Sequence, residues 1–262
     1  MISVNNASCD FALSSGREVR ALDNVSVSIP DGQFVCLLGR SGHGKSTLLR
    51  SLAGLNRLTG GAITVDGQTV AGPGVDRGMV FQEDTVFPWM TVRQNVTFGL
   101  RAQGRAAKEC HDEAMRWLSA VGLADYADVW PKELSGGMRK RVAIATAFAS
   151  GAPILMMDEP FGPLDYVTRR DLQNLLIELW QTTGRTIVFV THDIEESLVL
   201  AERIVVLRHG RVVDDIDVDL PRPRDEEVRA SARGVVISKA ILGELEIEGA
   251  RAAQVVPQGT PA

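Results

Sequence analysis

The stretch Gln33-Phe34-Val35-Cys36-Leu37-Leu38-Gly39-Arg40-Ser41-Gly42-His43-Gly44-Lys45-Ser46-Thr47 decides the fold. An apolar run of strand length, Gln33–Leu38, leads directly into G-x-x-x-x-G-K-[ST], and a helix start, Leu48 to Leu52, follows it. Strand, glycine-rich turn and helix N-terminus in that order form a cradle for a polyphosphate. The glycines let backbone N–H groups turn toward the anion, and the helix N-terminus adds positive potential. Lys45 contributes a point charge and Ser46 a hydroxyl for Mg²⁺. Gly39, Arg40, Ser41, Gly42, His43, Gly44, Lys45, Ser46 and Thr47 are therefore the candidate phosphate-binding residues. The competing reading, a glycine-rich turn capped by Ser, leaves the flanking strand and helix unaccounted for.

Working outward, apolar β-branched runs recur at Gly78–Phe81, Pro153–Met157, Thr186–Val190 and Arg203–Leu207, several with helical patterns between them. That alternation predicts an α/β fold with a mainly parallel sheet. Ile2–Phe11, Leu22–Ile29 and Gly61–Val65 alternate in polarity and predict antiparallel strands at one edge. Between Glu83 and Gly151 the strand signal vanishes, and Lys108–Val121 and Gly136–Ala149 read as helices of an insert. The expected organisation is a core of residues 1–82 and 152–220, a helical subdomain of residues 83–151 and a C-terminal extension of residues 221–262. That extension opens on Pro221-Arg222-Pro223-Arg224 and offers at most one amphipathic helix before a frayed end.

The strand Pro153–Met157 runs into Asp158-Glu159, two carboxylates at the sheet edge that carries the phosphate loop if the strands are parallel. Asp158 is placed to hold Mg²⁺ through water, and Glu159 to polarise an attacking water as general base. Thr186–Val190 ends in Thr191-His192-Asp193. Asp193 and Glu196 have capping-box spacing, which gives Asp193 a structural task, whereas the His192 imidazole can bond a terminal phosphate and orient the water. Gln82 follows a strand in the same way, and its amide can bind Mg²⁺ or that water. Leu134-Ser135-Gly136-Gly137-Met138 opens the helix Gly136–Ala149 and makes a second anion site about ninety residues after the first. One nucleotide has no obvious use for both in one chain.

Together these motifs resemble the nucleotide-binding subunit of ABC transporters over roughly residues 2–218. The resemblance implies a P-loop NTPase core of the RecA-like kind, with ATP and Mg²⁺ as its ligands. It makes Gly39–Thr47 the Walker A loop, Gln82 the Q-loop, Leu134–Met138 the signature, Ile154–Asp158 Walker B and Glu159 the catalytic base. Phe161–Asp165 becomes the D-loop, which adds Asp165 to the nucleotide contacts. His192 is the switch histidine, and Phe11 is similar to the aromatic that stacks on adenine. The resemblance also resolves the two anion sites. Two copies dimerise head to tail, and Ser135, Gly136 and Gly137 of one close on ATP held by the other. A separate transmembrane permease, served by a solute-binding protein, would be the driven partner, placing the chain peripherally on the cytoplasmic side of a bacterial inner membrane. The run Gly72 to Glu83, the stretch Phe87-Pro88-Trp89-Met90-Thr91-Val92, whose first four residues form an apolar patch, and Pro221–Arg224 are similar to the nitrate, sulfonate and taurine importer subfamily. The patch would lie near the permease contact, or else pack within the insert. Met138, Lys140, Thr146 and His43 depart from the commonest residues of the family, and a His43 ring near phosphate would make affinity depend on pH.

Composition limits the alternatives. Lys plus Arg number 28 against 33 Asp plus Glu, a formal charge of −5, which argues against a general nucleic-acid surface. A non-transport ABC protein acting on nucleic acid or the ribosome usually carries a coiled-coil insertion or tandem cassettes, and this chain has one cassette and a short insert. A purely regulatory ATP-binding protein would have lost its base, yet Glu159 and His192 are both present. Cys9, Cys36 and Cys110 fit no metal or disulfide pattern and suit a reducing compartment, and the absence of a long apolar run assigns any membrane role to a partner.

Overall fold

The computed structural model describes residues 1–12, 16–83 and 86–252, with side chains to residue 245. In chain order its strands and α-helices are β1 (Ile2–Ala12), β2 (Glu18–Ile29), β3 (Phe34–Leu38), α1 (Lys45–Leu52), β4 (Gly60–Val65), β5 (Gln68–Thr69), β6 (Arg77–Val80), α2 (Val92–Ala102), α3 (Ala107–Ala120), α4 (Gly136–Ala149), β7 (Ile154–Asp158), α5 (Tyr166–Thr183), β8 (Thr186–Thr191), α6 (Ile194–Leu200), β9 (Arg203–Arg208), β10 (Arg211–Asp217), α7 (Glu226–Ala230) and α8 (Ala232–Ala252).

Among the described residues the strands form two sheets. One runs β2-β1-β4-β5 with antiparallel pairing; the other runs β10-β9-β3-β8-β7-β6, parallel from β9 to β6, with β10 antiparallel at its edge. The larger sheet is covered on both faces, which is why its strands read as unbroken apolar runs. Phe34, Cys36 and Leu38 of β3, Leu155 and Met157 of β7, and Ile187 and Phe189 of β8 point into a core shared with α2–α6. The alternate residues Val35, Leu37, Ile154, Met156, Val188 and Val190 point into a second core with α1 and the antiparallel sheet. Period-two alternation thus feeds two cores from each strand.

In the first core, Phe34 meets Trp180 edge-on at 5.7 Å between ring centres, and Phe161 lies 5.6 Å from Phe189. These rings fix α5 and the turn after β7 to the sheet, and so place the residues that follow Asp158.

Three expectations need correction. The insert holds a third helix, α2, started by a capping box: Thr91 Oγ1 accepts from the Gln94 amide at 3.3 Å, and Gln94 Oε1 accepts from the Thr91 amide at 2.8 Å. Strand β6 stops at Val80, so Phe81 lies beyond it rather than at its end, and Gln82 follows one residue later. The extension carries two helices instead of one, and α8 buries Ile237 and Ile241 in the first core. The frayed end expected at the C-terminus lies outside the described residues.

Candidate active site

Parallel pairing sets Leu38 of β3 opposite Thr191 of β8, and Val190 opposite Asp158 of β7. The residues after these strand ends therefore emerge at one edge of the sheet, which brings together the phosphate loop, Asp158-Glu159 and His192.

The loop is bound tightly to its surroundings. A Cβ on Gly39 would sit 2.4 Å from the Leu207 carbonyl oxygen. Gly44 has φ 93°, and a Cβ there would sit 2.4 Å from the Ala21 carbonyl oxygen. Both conditions exclude a side chain at Gly44. Strain of about 1–3 kcal/mol at such a position must distort the loop, so Gly44→Ala is expected to weaken nucleotide binding at least about tenfold while the cores stay folded. Calorimetric titration with ATP checks this, and an unchanged affinity would contradict it.

Lys45 is 4% exposed, and its Nζ donates to the carbonyls of Gly39 (2.7 Å) and Arg40 (3.0 Å). Burial lowers the pKa of this ammonium, while Glu159 and Asp158 act in the opposite direction, with Glu159 Oε1 at 3.9 Å. Ser46 Oγ donates to Asp158 Oδ1 at 2.7 Å, and Arg50 Nη2 stands 3.5 Å from Asp158 Oδ2. Asp158 is 1% exposed. A hydroxyl beside a buried carboxylate is a hard oxygen pair of the kind Mg²⁺ takes, with its other positions left to water and phosphate.

Glu159 has φ 42°, a left-handed backbone that a non-glycine residue rarely adopts. Its amide donates to the Val190 carbonyl at 3.0 Å, which extends the β7–β8 pairing by one residue and holds the strained turn. Its Oε2 lies 3.1 Å from His192 Nδ1. Carboxylate, imidazole and ammonium therefore converge on one point, an arrangement able to take a proton from water beside a polyphosphate.

The other expected residues lie around this centre. Ser135 caps α4, its Oγ accepting from the Met138 amide at 3.3 Å, and a Cβ on Gly137 would approach Thr168 Cγ2 of α5 to 2.5 Å. Ser135, Gly136 and Gly137 thus belong to the helical insert, beside α5, on a different element from the phosphate loop. Asp165 caps α5 by accepting from the Thr168 amide at 3.0 Å, a bond that lowers its carboxyl pKa. Gln82 is exposed, and its carbonyl accepts from Lys140 Nζ at 2.8 Å, tying this loop to α4. Phe11, 41% exposed, sits on β1 opposite Val19. The His43 ring is buried, with Nδ1 3.3 Å from the Leu207 carbonyl oxygen and its centre 4.9 Å from that of His209, so it packs on the β9–β10 turn. Sequence reasoning passed over Arg50 and the tethering role of Lys140. Arg50 follows Ser46 by four residues, which places both on one face of α1 and could have signalled the contact with Asp158.

Comparison with known proteins shows the family. The model of the family described as "ABC transporter" matches residues 22–162. The chain belongs to the ABC transporter family. A nitrate import ATP-binding protein of Synechocystis is 51% identical to it over 211 residues, covering 80% of this chain and 79% of that protein. A taurine import ATP-binding protein of Rhizobium johnstonii is 49% identical over 224 residues, covering 85% and 86%. Among solved structures, the dimeric post-hydrolysis state of the ATP-binding cassette MJ0796 with ADP and Pi aligns with TM-score 0.74 at 32% identity, covering 83% of this chain and 99% of that one. The chain is an ABC cassette, and its chemistry is ATP hydrolysis. No helix among its described residues is long and apolar enough to cross a membrane.

Proposed function

We propose that this ABC cassette energises uptake of a small anion of the nitrate, sulfonate or taurine class through a separate permease fed by a solute-binding protein. It would act from the cytoplasmic side of the membrane, as a head-to-tail dimer. The observation that carries the catalytic part is the convergence of Lys45, Glu159 and His192 at one sheet edge beside the Ser46–Asp158 pair. The class of cargo is supported by the nitrate and taurine import relatives.

In this reading the loop amides and Lys45 bind the β- and γ-phosphates, and Lys45 exchanges its two carbonyl bonds for phosphate oxygens. Ser46 and Asp158 would hold Mg²⁺, which would supply positive charge to neutralise that developing on the phosphates. Gln82 is carried by a loop that Lys140 ties to α4, and its exposed amide is placed to meet the metal or the attacking water. Glu159 accepts the water's proton, while the imidazole of His192 orients the carboxylate and reaches the terminal phosphate. Ser135, Gly136 and Gly137 of the second copy close over the nucleotide, with its Asp165 beside them. Phe11, half-exposed on β1, stacks on the adenine.

The permease contact is supported by an exposed aromatic cluster on the insert. Trp89 is 67% exposed, and Phe87 lies 5.5 Å from Trp89 and 4.8 Å from Phe98 between ring centres. Asn95 fastens the loop beneath, its Nδ2 donating to the carbonyls of Phe87, Met90 and Thr91. An aromatic patch on so firm a base suits a protein partner. Trp89→Ala is expected to leave ATP hydrolysis by the isolated chain unchanged and to weaken permease binding by about 2 kcal/mol or more. Co-purification and binding assays with the permease check this, and equal binding would remove the patch from the interface. For the function as a whole, deleting the gene should abolish uptake of nitrate, taurine or another sulfonate, and the wild-type chain but not Glu159→Gln should restore it. Undiminished uptake of all three solutes would overturn the cargo class.

A further inference from the structure

Helix α6, which follows His192, has seven residues, too few to be stable without support from outside. The last intrahelical bond runs from the Ala201 amide to the Ser197 carbonyl at 2.9 Å, which leaves the carbonyls of Leu198, Val199, Leu200 and the cap residue Ala201 to be met from outside the helix. Here two arginines from the segment after β10 take all four. Arg224 Nη1 donates to the carbonyls of Leu198 (3.0 Å) and Ala201, and Arg222 donates to those of Val199 (3.2 Å) and Leu200 (2.7 Å). Positive charge at this end also suits the helix dipole.

Arg224 is 7% exposed and gives its remaining N–H groups to the carbonyls of Leu220 (3.1 Å) and Val218 (2.9 Å). Arg222 lies over the Trp180 ring at 5.0 Å. A cavity of about 720 Å³, lined among others by Gln173, Ile177, Val199, Arg222 and Arg224, opens beside α5 and the end of α6. Leu198 and Leu200 anchor α6 in the first core, and the guanidinium bonds close its end.

The other end of α6 fixes the turn that carries His192. Asp193 accepts the Glu196 amide on its side chain (3.2 Å) and the Ser197 amide on its carbonyl (3.1 Å), while its own amide donates to Thr191 Oγ1 (3.0 Å). Displacement of a two-turn helix therefore moves the backbone at His192.

We propose that Arg222 and Arg224 are positioning residues for hydrolysis, clamping α6 so that the His192 ring stays against Glu159. This rests on the roles given to His192 and Glu159 above. The test is a double-mutant cycle on the full chain. Arg224→Met is expected to lower kcat about tenfold, to leave KM for ATP within about twofold, and to cost less than about a further twofold when His192 is already Ala. Arg224→Lys, which can satisfy part of the carbonyl set, should recover part of the loss. Losses that multiply in the double variant, or a raised KM with unchanged kcat, would overturn the clamp. Should Arg224→Met fail to fold, Arg222→Met, which removes two of the four helix-end bonds, runs the same cycle with the same outcomes. Unchanged turnover in His192→Ala alone is a separate result: it removes the reading of His192, and the clamp's role falls with it.

Discussion

Glu159→Gln is expected to bind ATP at least as tightly as the wild-type chain and to hydrolyse it at least about 100-fold more slowly. The amide keeps the size of the carboxyl group and fits the same turn, held by the Glu159 amide on Val190, so the site keeps its shape. It cannot accept a proton from water. It also removes a negative charge 3.9 Å from Lys45, at the side of the incoming phosphates, which favours the nucleotide. Binding and hydrolysis should therefore separate, and chains with uncleaved ATP should accumulate as dimers. Equilibrium binding together with single-turnover hydrolysis checks this; turnover equal to wild type would show that Glu159 is not the base.

Lys45→Ala is expected to weaken ATP binding by roughly 10- to 100-fold or more, since a charge-assisted bond to phosphate contributes about 1.5–3 kcal/mol. The loss has a second source. Without the ammonium, the carbonyls of Gly39 and Arg40, which it now engages, would face the phosphates with no intervening cation. The pH dependence follows from the direction of the shift. Burial lowers the pKa of Lys45, and a polyphosphate placed beside it raises that pKa again. Binding at alkaline pH must then take up a proton, so affinity should fall as pH rises through the lowered pKa of the free chain. Lys45→Ala should lack that alkaline decline. Calorimetry across the pH range checks both, and equal affinity in the variant would contradict the placement of the ammonium.

What could be read from residues alone depended on which forces act locally. The strands β3, β7, β8 and β9 announce themselves because both faces are buried, which turns each into an apolar run. The start of α4 was legible from Ser135 and the glycines behind it, and the structure adds a reason for Gly137 in its approach to Thr168. Helix α2 was missed although Val92, Val96 and Leu100 keep helical spacing, because Asn95 and Thr97 are buried polar residues that blur the stripe. The capping box at Thr91 and Gln94 was the available signal.

Strand β10 carries Asp214, Asp215 and Asp217, charges that suit a sheet edge and hide a strand from any hydrophobic pattern. Pairing with β9 decides it. Pro221-Arg222-Pro223-Arg224 reads only as a break in the pattern, since nothing local shows that both guanidinium groups close the end of α6. The strained backbone at Glu159 is likewise set by strand pairing, and no residue type there announces it.

The most direct measurement is a structure of the full-length Glu159→Gln chain grown with Mg²⁺ and ATP. Each triphosphate should lie between Gly39–Thr47 of one copy and Ser135–Gly137 of the other, with the metal at Ser46 and Asp158 and His192 facing the terminal phosphate. A nucleotide bound away from Lys45, or one held by a single copy with Ser135 turned to solvent, would contradict the reading of this chain as a dimeric ATP-driven motor.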